Sequence, residues 1–296
     1  MSSRSVARWC VLTGLAAVLA FGAPASSQLA RKAKDLPVCN PKSASTAPPA
    51  GPPKVTSARA CRAGDKKVQK ASGRKTREAG AAVGGRSAPG YTHLGAGTAD
   101  EWAGVSGRIA VTDSAVRRNT YDFVASRFMA KQPRADGGVE WLEAGWAETG
   151  WSGAGRQRIY TFDTNTWSWR FHDQYVLRPG DRIWLDLRAG TDGSWNAWLW
   201  WDNRWNLLAS ERLPLGRTAQ IEQYVELHVD PRKPARVTVP PVTVDNVRLL
   251  DDGDARMWRN DVDTLTDDDE PQGRGAGGGL CLNWITRYDT WSAGNC

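Results

Sequence analysis

Several features that define common functional sites are scarce or absent in this chain. Histidine occurs only three times in 296 residues, at His93, His172 and His228, and no two of these positions have metal-ligand spacing. No Gly-x-Ser-x-Gly motif is present, which argues against the nucleophile elbow of a serine hydrolase. The sequence therefore predicts no bound metal, no cofactor and no serine nucleophile of that type.

Long apolar runs are also missing. The longest, Trp9 to Phe21, has about 13 residues, whereas a membrane-spanning helix needs about 20. Arg4 and Arg8 precede this run, and the small residues of Ala23-Pro24-Ala25 follow it. This pattern is typical of a secretory signal peptide. We therefore expect residues 1–25 to be removed on export, leaving a secreted protein without a transmembrane segment.

Cysteine is rare as well, and Cys10 lies inside the apolar run. Four cysteines remain after export: Cys39, Cys61, Cys281 and Cys296. An even number in an oxidising compartment favours disulfide bonds over free thiols. Of the three possible connectivities we expect the local one, Cys39 with Cys61 and Cys281 with Cys296, and each short loop contributes about 3 kcal/mol.

The formal net charge of +7 is unevenly distributed. Residues 26–95 contain 14 basic against 3 acidic residues, whereas residues 96–296 contain 23 basic against 29 acidic residues. Nucleic-acid binding needs a basic folded face, so the acidic part of the chain argues against it. Residues 26–90 are rich in Ala, Ser, Pro and Lys, so we expect a disordered basic segment whose charge suits an anionic wall polymer.

The composition changes at Tyr91, where short alternating runs bounded by turn residues begin. The candidate strands are Ala103–Val111, Asp122–Ala130, Glu140–Glu148, Gln157–Phe162, Gln174–Leu177, Asp181–Arg188, a Trp-rich hairpin, Ala219–Val229 and Val242–Leu250. Strands without helices predict an all-β domain over residues 91–250, an antiparallel two-sheet sandwich or jelly roll. We expect residues 251–279 to form an acidic, then Gly-rich linker and residues 280–296 a disulfide-closed C-terminal end.

The Trp-rich hairpin is the most distinctive stretch of the sequence. Five of the sixteen residues from Ser194 to Ala209 are tryptophan, and Asp202-Asn203-Arg204 in the middle has turn chemistry. Pairing Arg188 with Ser194 across the preceding loop places Trp184 opposite Trp198. Because side chains alternate along a strand, a buried sheet face accounts for only one of the two Trp rows.

The same alternation predicts one outward sheet face that is both acidic and aromatic. Its members are Trp141, Glu143, Trp184, Trp198, Trp200, Glu222, Tyr224 and Glu226. Indoles stack on sugar rings while carboxylates bind hydroxyls, and a carboxyl group beside a water is a general acid or base. Tryptophans packed under covering loops give the same pattern.

Between Glu101 and about Asp230, short motifs resemble the glutamic peptidases (eqolisins) in order and spacing. The resembling motifs are Glu101-Trp102-Ala103-Gly104, Trp141-Leu142-Glu143, Tyr175 to Leu187 and Ile221 to Glu226. The resemblance implies a concanavalin-like sandwich and a Gln and Glu pair that activates water and stabilises a tetrahedral intermediate. It places the catalytic glutamate on Glu222. Where the Gln-Thr-Gly of that family is expected, this chain has Glu148-Thr149-Gly150.

Three functional hypotheses follow. The leading one is a secreted, non-catalytic β-sandwich that binds polysaccharide or another cell-envelope polymer through the acidic, aromatic face. The second is an acid hydrolase, peptidase or glycosidase, in which a neighbouring carboxylate such as Glu143 or Glu226 keeps Glu222 protonated. The third is an exported structural surface protein anchored by its basic segment.

Overall fold

The computed structural model describes residues 51–52, 68–70, 90–153, 155–251, 254–266 and 280–296. The predicted signal peptide, most of the basic segment and the Cys39–Cys61 pair lie outside these residues. Every regular element in the described part is a β-strand, and this part contains no helix long and apolar enough to cross a membrane.

The described strands form two antiparallel sheets, which confirms the predicted two-sheet sandwich. Sheet I contains, in spatial order, β1 (Val68–Lys70), β7 (Ser168–Val176), β6 (Arg158–Asp163), β5 (Val139–Thr149), β4 (Phe123–Pro133), β11 (Ala219–His228), β2 (Tyr91–Trp102) and β14 (Thr264–Thr266). Sheet II contains β10 (Arg204–Glu211), β9 (Trp195–Trp201), β8 (Arg182–Ala189), β3 (Gly104–Ala110), β12 (Val242–Leu250), β16 (Thr290–Asn295) and β15 (Leu280–Thr286), with β13 (Ala255–Met257) paired to β12.

One apolar core lies between the two sheets. It takes alternate residues of each strand, for example Leu142 and Trp146 from sheet I and Leu185 and Trp195 from sheet II. Trp146 and Trp195 are fully buried, and their indole N–H groups donate to the carbonyl oxygens of Ala110 at 3.0 Å and Gly216 at 3.1 Å. Each buried Trp removes roughly 150–250 Å² from water, so these rows dominate the burial that holds the sheets together.

The sheets continue beyond the predicted domain. Residues 254–266, expected in a linker, contain β13, β14 and the fully buried Trp258, and residues 280–295 add the β15–β16 hairpin to sheet II. The Cys281–Cys296 disulfide closes this hairpin with Cα atoms 4.9 Å apart, which confirms that pairing. The C-terminal end is therefore part of the sandwich.

The Trp-rich hairpin is present, and its turn is Asp202-Asn203. Both residues have positive φ, 51° and 57°, as a two-residue hairpin turn requires, and Asp and Asn tolerate this conformation best after Gly. The predicted pairing with the preceding strand is wrong by two residues, because Gly190 N–H donates to Ser194 O, which extends the strand pairing and shortens the loop to residues 191–193. Trp184 therefore faces Trp200. A shift of two leaves every side chain on its predicted face.

Candidate functional site

The side chains predicted on one outward face lie on two different faces. Trp184, Trp198 and Trp200 are on β8 and β9 of sheet II, whereas Trp141, Glu143, Glu222, Tyr224 and Glu226 are on β5 and β11 of sheet I. Both sets point away from the shared core, and the outer faces of a sandwich point in opposite directions. No single ligand site can use both sets.

The predicted Trp platform is also not open to a ligand. Trp141, Trp184 and Trp198 are buried, with exposures of 3%, 4% and 1%, and Trp200 is half-buried. Sugar stacking needs an accessible indole face. Of the two explanations for the doubled Trp row, packing under a covering layer is therefore the one the structure supports.

The carboxyl groups of sheet I do form a cluster on its outer face. In the strand register Glu222 of β11 pairs with Met129 of β4, and Met129 pairs on its other side with Glu143 of β5. Two strand spacings separate the Cα atoms of the two glutamates by about 10 Å, and both side chains point to the same side of the sheet. Glu226 lies four residues further along β11, on the same face.

Two cations on β4 pair with these carboxyl groups. Arg127 Nε lies 2.7 Å from Glu143 Oε2, and Arg127 Nη1 donates to Glu226 Oε2 at 2.5 Å. Lys131 Nζ donates to Glu222 Oε1. Among the described residues no donor reaches Glu222 Oε2. Arg127 is almost completely buried, so its charge depends on these partners.

The environments of the carboxyl groups push their pKa values apart. Burial raises the pKa of Glu143 to about 7, against the attraction of Arg127 and with a contribution from Glu226. Burial alone would also raise the pKa of Glu226, but Arg127 and then His93 outweigh it and hold the pKa at about 2. Glu143 therefore keeps its proton below about pH 7 while Glu226 is ionised.

The charges of the cluster explain this difference. Three buried carboxyl groups, Glu143, Glu222 and Glu226, share two basic partners, Arg127 and Lys131. Charges balance when one carboxyl group is protonated, and ionising the third would leave an uncompensated charge in a buried site. Pairs of carboxyl groups in opposite protonation states are the usual assignment of acid and base in hydrolytic sites.

Aromatic side chains line the face on both sides of the cluster. Trp141 stacks on Phe162 with ring centroids 5.6 Å apart, and Trp167 packs edge-on to Trp141 at 5.0 Å while 41% exposed. Within the cluster the Arg127 guanidinium lies 5.8 Å from the ring of Tyr224. Burial and the charge of Glu143 raise the pKa of Tyr160 well above its usual range, so Tyr160 remains a neutral phenol.

Glu148, which sequence spacing assigns to the catalytic Gln position, does not belong to the cluster. The β4–β5 register runs from Phe123–Thr149 to Pro133–Val139 without a bulge, so Glu148 faces the core side. Its carboxylate accepts hydrogen bonds from Ser114 N–H at 3.0 Å, Gly155 N–H at 3.2 Å and the Gln157 amide at 2.9 Å. Glu148 thus anchors loops, and Glu143 is the residue that shares a face with Glu222.

Sequence reasoning missed three members of the cluster. Arg127 and Lys131 lie four residues apart on β4. Strand alternation assigns both positions to the face of Glu143, so this signal would have located them. His93 lies on β2, and its Nε2 is 3.1 Å from Glu226 Oε1. His228 lies two positions after Glu226 on β11, on the same face, and contributes to the lowered pKa of Glu226, whereas His172 lies on β7. No group of three or more His, Cys, Asp or Glu side chains among the described residues is arranged to hold a metal ion.

The fold is similar to that of solved peptidases. One is scytalido-glutamic peptidase with a transition state analog inhibitor, at a TM-score of 0.50 and 13% identity over 69% of this chain and 98% of that one. The same peptidase with a peptide-based analog (TM-score 0.46, 15%) and SCP-B of the eqolisin family with the tripeptide Ala-Ile-His (0.43, 13%) cover the same shares. No family model and no curated protein matches the sequence.

These findings correct the leading hypothesis of a non-catalytic polysaccharide-binding protein. Its Trp platform is split between two sheets, Trp141, Trp184 and Trp198 are buried, and a solved structure similar in fold is a peptidase. The resemblance to the glutamic peptidases proposed from short motifs is confirmed at the level of the fold.

Proposed function

We propose that the protein is an acid hydrolase of the glutamic-peptidase type, with Glu222 and Glu143 as its catalytic residues. The observation that carries the proposal is the position of the two glutamates on one sheet face, on either side of Met129. The different environments of the two groups support it, since Lys131 pairs with Glu222 while burial raises the pKa of Glu143 to about 7.

In this reaction the Glu222 carboxylate is the general base. Lys131 binds Oε1, so Oε2 is the oxygen that takes a proton from a water molecule. The water oxygen attacks the carbonyl carbon of the substrate, and the carbonyl oxygen becomes the oxyanion of a tetrahedral intermediate. Glu222 then gives its proton to the leaving nitrogen as the C–N bond breaks, and the products are a carboxylic acid and an amine.

Protonated Glu143 serves as the donor to the carbonyl oxygen. A neutral carboxyl group has an O–H that hydrogen-bonds the developing oxyanion, which is the role of the amide in the Gln and Glu pair of the glutamic peptidases. Below about pH 7, Glu and Gln at this position therefore both donate a hydrogen bond to the oxyanion. Above that pH only Gln does. Arg127 contacts Glu143 Oε2 and holds the carboxyl group in place.

The hypothesis of a protonated Glu222 is replaced in this proposal. Lys131 supplies a cation to Glu222, and the carboxyl group that keeps its proton is Glu143. We further propose that the enzyme acts outside the cell, because residues 1–25 have the pattern of a signal peptide. Binding of residues 26–90 to an anionic polymer stays a prediction.

Degradation of acid-denatured protein by the purified full-length chain tests the proposal. We expect cleavage at about pH 4, and Glu222→Gln should lower kcat by about 10²–10⁴-fold because the general base is lost. Glu101→Gln is the matched control, since Glu101 is an exposed glutamate of the same sheet that bonds Gln132 and Thr218. Wild-type protein without activity toward any denatured protein, or a Glu222→Gln variant as active as Glu101→Gln, would contradict the proposal.

A further inference from the structure

The outer face of sheet II is a tryptophan-rich surface that the hydrolase proposal does not use. Strand register arranges it in three rows across β3, β8, β9 and β10. The rows are Arg108, Trp184, Trp200, Trp205; then Ser106, Asp186, Trp198, Leu207; then Gly104, Arg188, Asn196, Ser210. We call these twelve residues the Trp face.

Residues of the Trp face are too buried for the solvent side of a sandwich. Trp184, Trp198, Trp205 and Leu207 are 4%, 1%, 6% and 1% exposed. The outer face of a two-layer sandwich ordinarily meets solvent unless another segment covers it, and none of the described strands packs on this side. The Trp face therefore has a covering layer.

Unused hydrogen-bond donors indicate the chemistry of that layer. The buried indole N–H groups of Trp184 and Trp200 have no acceptor among the described residues. The core residues Trp146 and Trp195, by contrast, each donate to a backbone carbonyl oxygen. A segment that covers the Trp face should supply free backbone carbonyl groups next to apolar contact area.

Gly51 and Pro52 show which segment approaches the Trp face. A Cβ atom built on Gly51 would lie 3.3 Å from Arg188 Nη2, in the third row of the Trp face. Pro52 is buried although it belongs to no strand. These two residues belong to the stretch Ala47-Pro48-Pro49-Ala50-Gly51-Pro52-Pro53, in which four of seven residues are proline.

The chemistry of this stretch matches the Trp face. Proline-rich chains adopt the polyproline II conformation, which has no internal hydrogen bonds and leaves its carbonyl groups free, and they bind aromatic-lined grooves at low entropic cost. The lengths also match. Arg188 to Trp184 is four strand residues, about 13 Å, and the four residues from Ala47 to Gly51 span about 12 Å in polyproline II.

We propose that the proline-rich stretch Ala47–Pro53 of this chain docks on its own Trp face. The prolines cover the indole rings, and carbonyl groups of the stretch accept from Trp184 and Trp200. The Trp face is a binding surface for a polyproline II segment.

Hydrogen exchange of the indole N–H groups in the full-length chain tests this proposal. Pro48, Pro49, Pro52 and Pro53 are all replaced by Ser, and exchange is followed by NMR with resonances assigned through single Trp→Phe variants. We expect exchange at Trp184 and Trp200 to become about tenfold faster, while Trp146 and Trp195 in the core keep the wild-type rate and report on folding. The matched control, Pro231→Ser with Pro234→Ser, changes exposed prolines after β11 and should behave like wild type.

Two results would overturn the proposal. Unchanged exchange at Trp184 and Trp200 in the four-proline variant would mean that another layer covers the Trp face. Wild-type protection that falls on dilution would assign the covering segment to a second copy of the chain, because docking within one chain does not depend on concentration.

Discussion

Glu143 and Glu222 lie on the same outer face of sheet I, separated by a single strand, and each contacts a cation of that strand. Their partners differ, since Arg127 is shared with Glu226 whereas Lys131 pairs with Glu222. Burial, which the shared Arg127 only partly offsets, leaves Glu143 as the carboxyl group that retains its proton. This asymmetry is the basis of the proposed acid and base roles, and it can be measured without a substrate.

The raised pKa of Glu143 predicts that folding stability depends on pH. The unfolded chain releases this proton near the ordinary value of 4.5, and the folded chain releases it at about 7. The folded state therefore binds more protons between these values, and its stability falls by about 3 kcal/mol as pH rises through that window. Urea unfolding at about pH 4.5 and about pH 7.5 measures the difference. Glu143→Gln should remove most of this fall, and an equally steep fall in that variant would contradict the assignment.

Removing Arg127 should destabilise the fold strongly. Arg127→Met leaves Glu226 buried without its main cation, and breaking one side of a buried ion pair costs about 3–5 kcal/mol. Since the folded pKa of Glu226 is lowered to about 2, its favourable contribution is present above about pH 4.5 and is lost as pH falls toward 2. The difference in the free energy of unfolding between variant and wild type should therefore shrink as pH falls over that window. An equal loss of stability at the upper and the lower pH, measured by urea unfolding, would show that Arg127 acts by packing alone.

The Cys281–Cys296 disulfide should stabilise the C-terminal edge of sheet II. It closes a loop of sequence separation 15, for which loop-closure entropy gives about 3 kcal/mol. Replacing both cysteines by Ser should lower the free energy of unfolding by about that amount, measured by urea titration. The double substitution should also loosen the hydrogen bond that Trp291 Nε1 donates to Gln223 Oε1 at 2.6 Å, which joins β16 to sheet I. A double Ser variant as stable as wild type would contradict this role.

Trp167 should contribute to substrate binding without taking part in the reaction. It is 41% exposed and packs edge-on to Trp141 beside the carboxyl cluster. Trp167→Ala should raise KM for peptides with large apolar side chains by about fivefold, since an aromatic contact contributes about 0.5–1.5 kcal/mol, and should leave kcat nearly unchanged. Trp167→Phe should restore most of the affinity. A variant with lowered kcat and unchanged KM would contradict a role limited to binding.

Strand alternation predicted much of the fold, because in a half-buried strand the apolar or polar character of each residue indicates which side of the sheet it faces. Val242–Leu250 is a strand with the predicted bounds, and Glu143, Glu222 and Glu226 are on the predicted outward side. The strand Tyr91–Trp102 was missed because its Gly and Ala residues have low β propensity. Gly95 is required by tertiary contact, since a Cβ atom at this position would lie 1.9 Å from Gln223 O.

The order of strands within the sheets was not predictable in the same way. The sequence around Trp198 and around Glu222 does not indicate that β9 and β11 belong to different sheets. The prediction therefore merged two outward faces into one. Sequence spacing likewise pointed to Glu148, whereas the unbroken register of β4 and β5 puts Glu143 on the same sheet face as Glu222, with β4 between them. Long-range pairing, which depends on the whole chain, decides both points.

The most direct test of the account is the pH dependence of kcat/KM for wild type and Glu143→Gln. Wild-type activity should fall as pH rises through about 7, because Glu143 loses the proton that it donates to the substrate carbonyl oxygen. Glu143→Gln has an amide donor that does not titrate, so it should remain active and should lack that fall. An inactive Glu143→Gln variant, or one with the same fall near pH 7 as wild type, would contradict the proposed roles of Glu143 and Glu222.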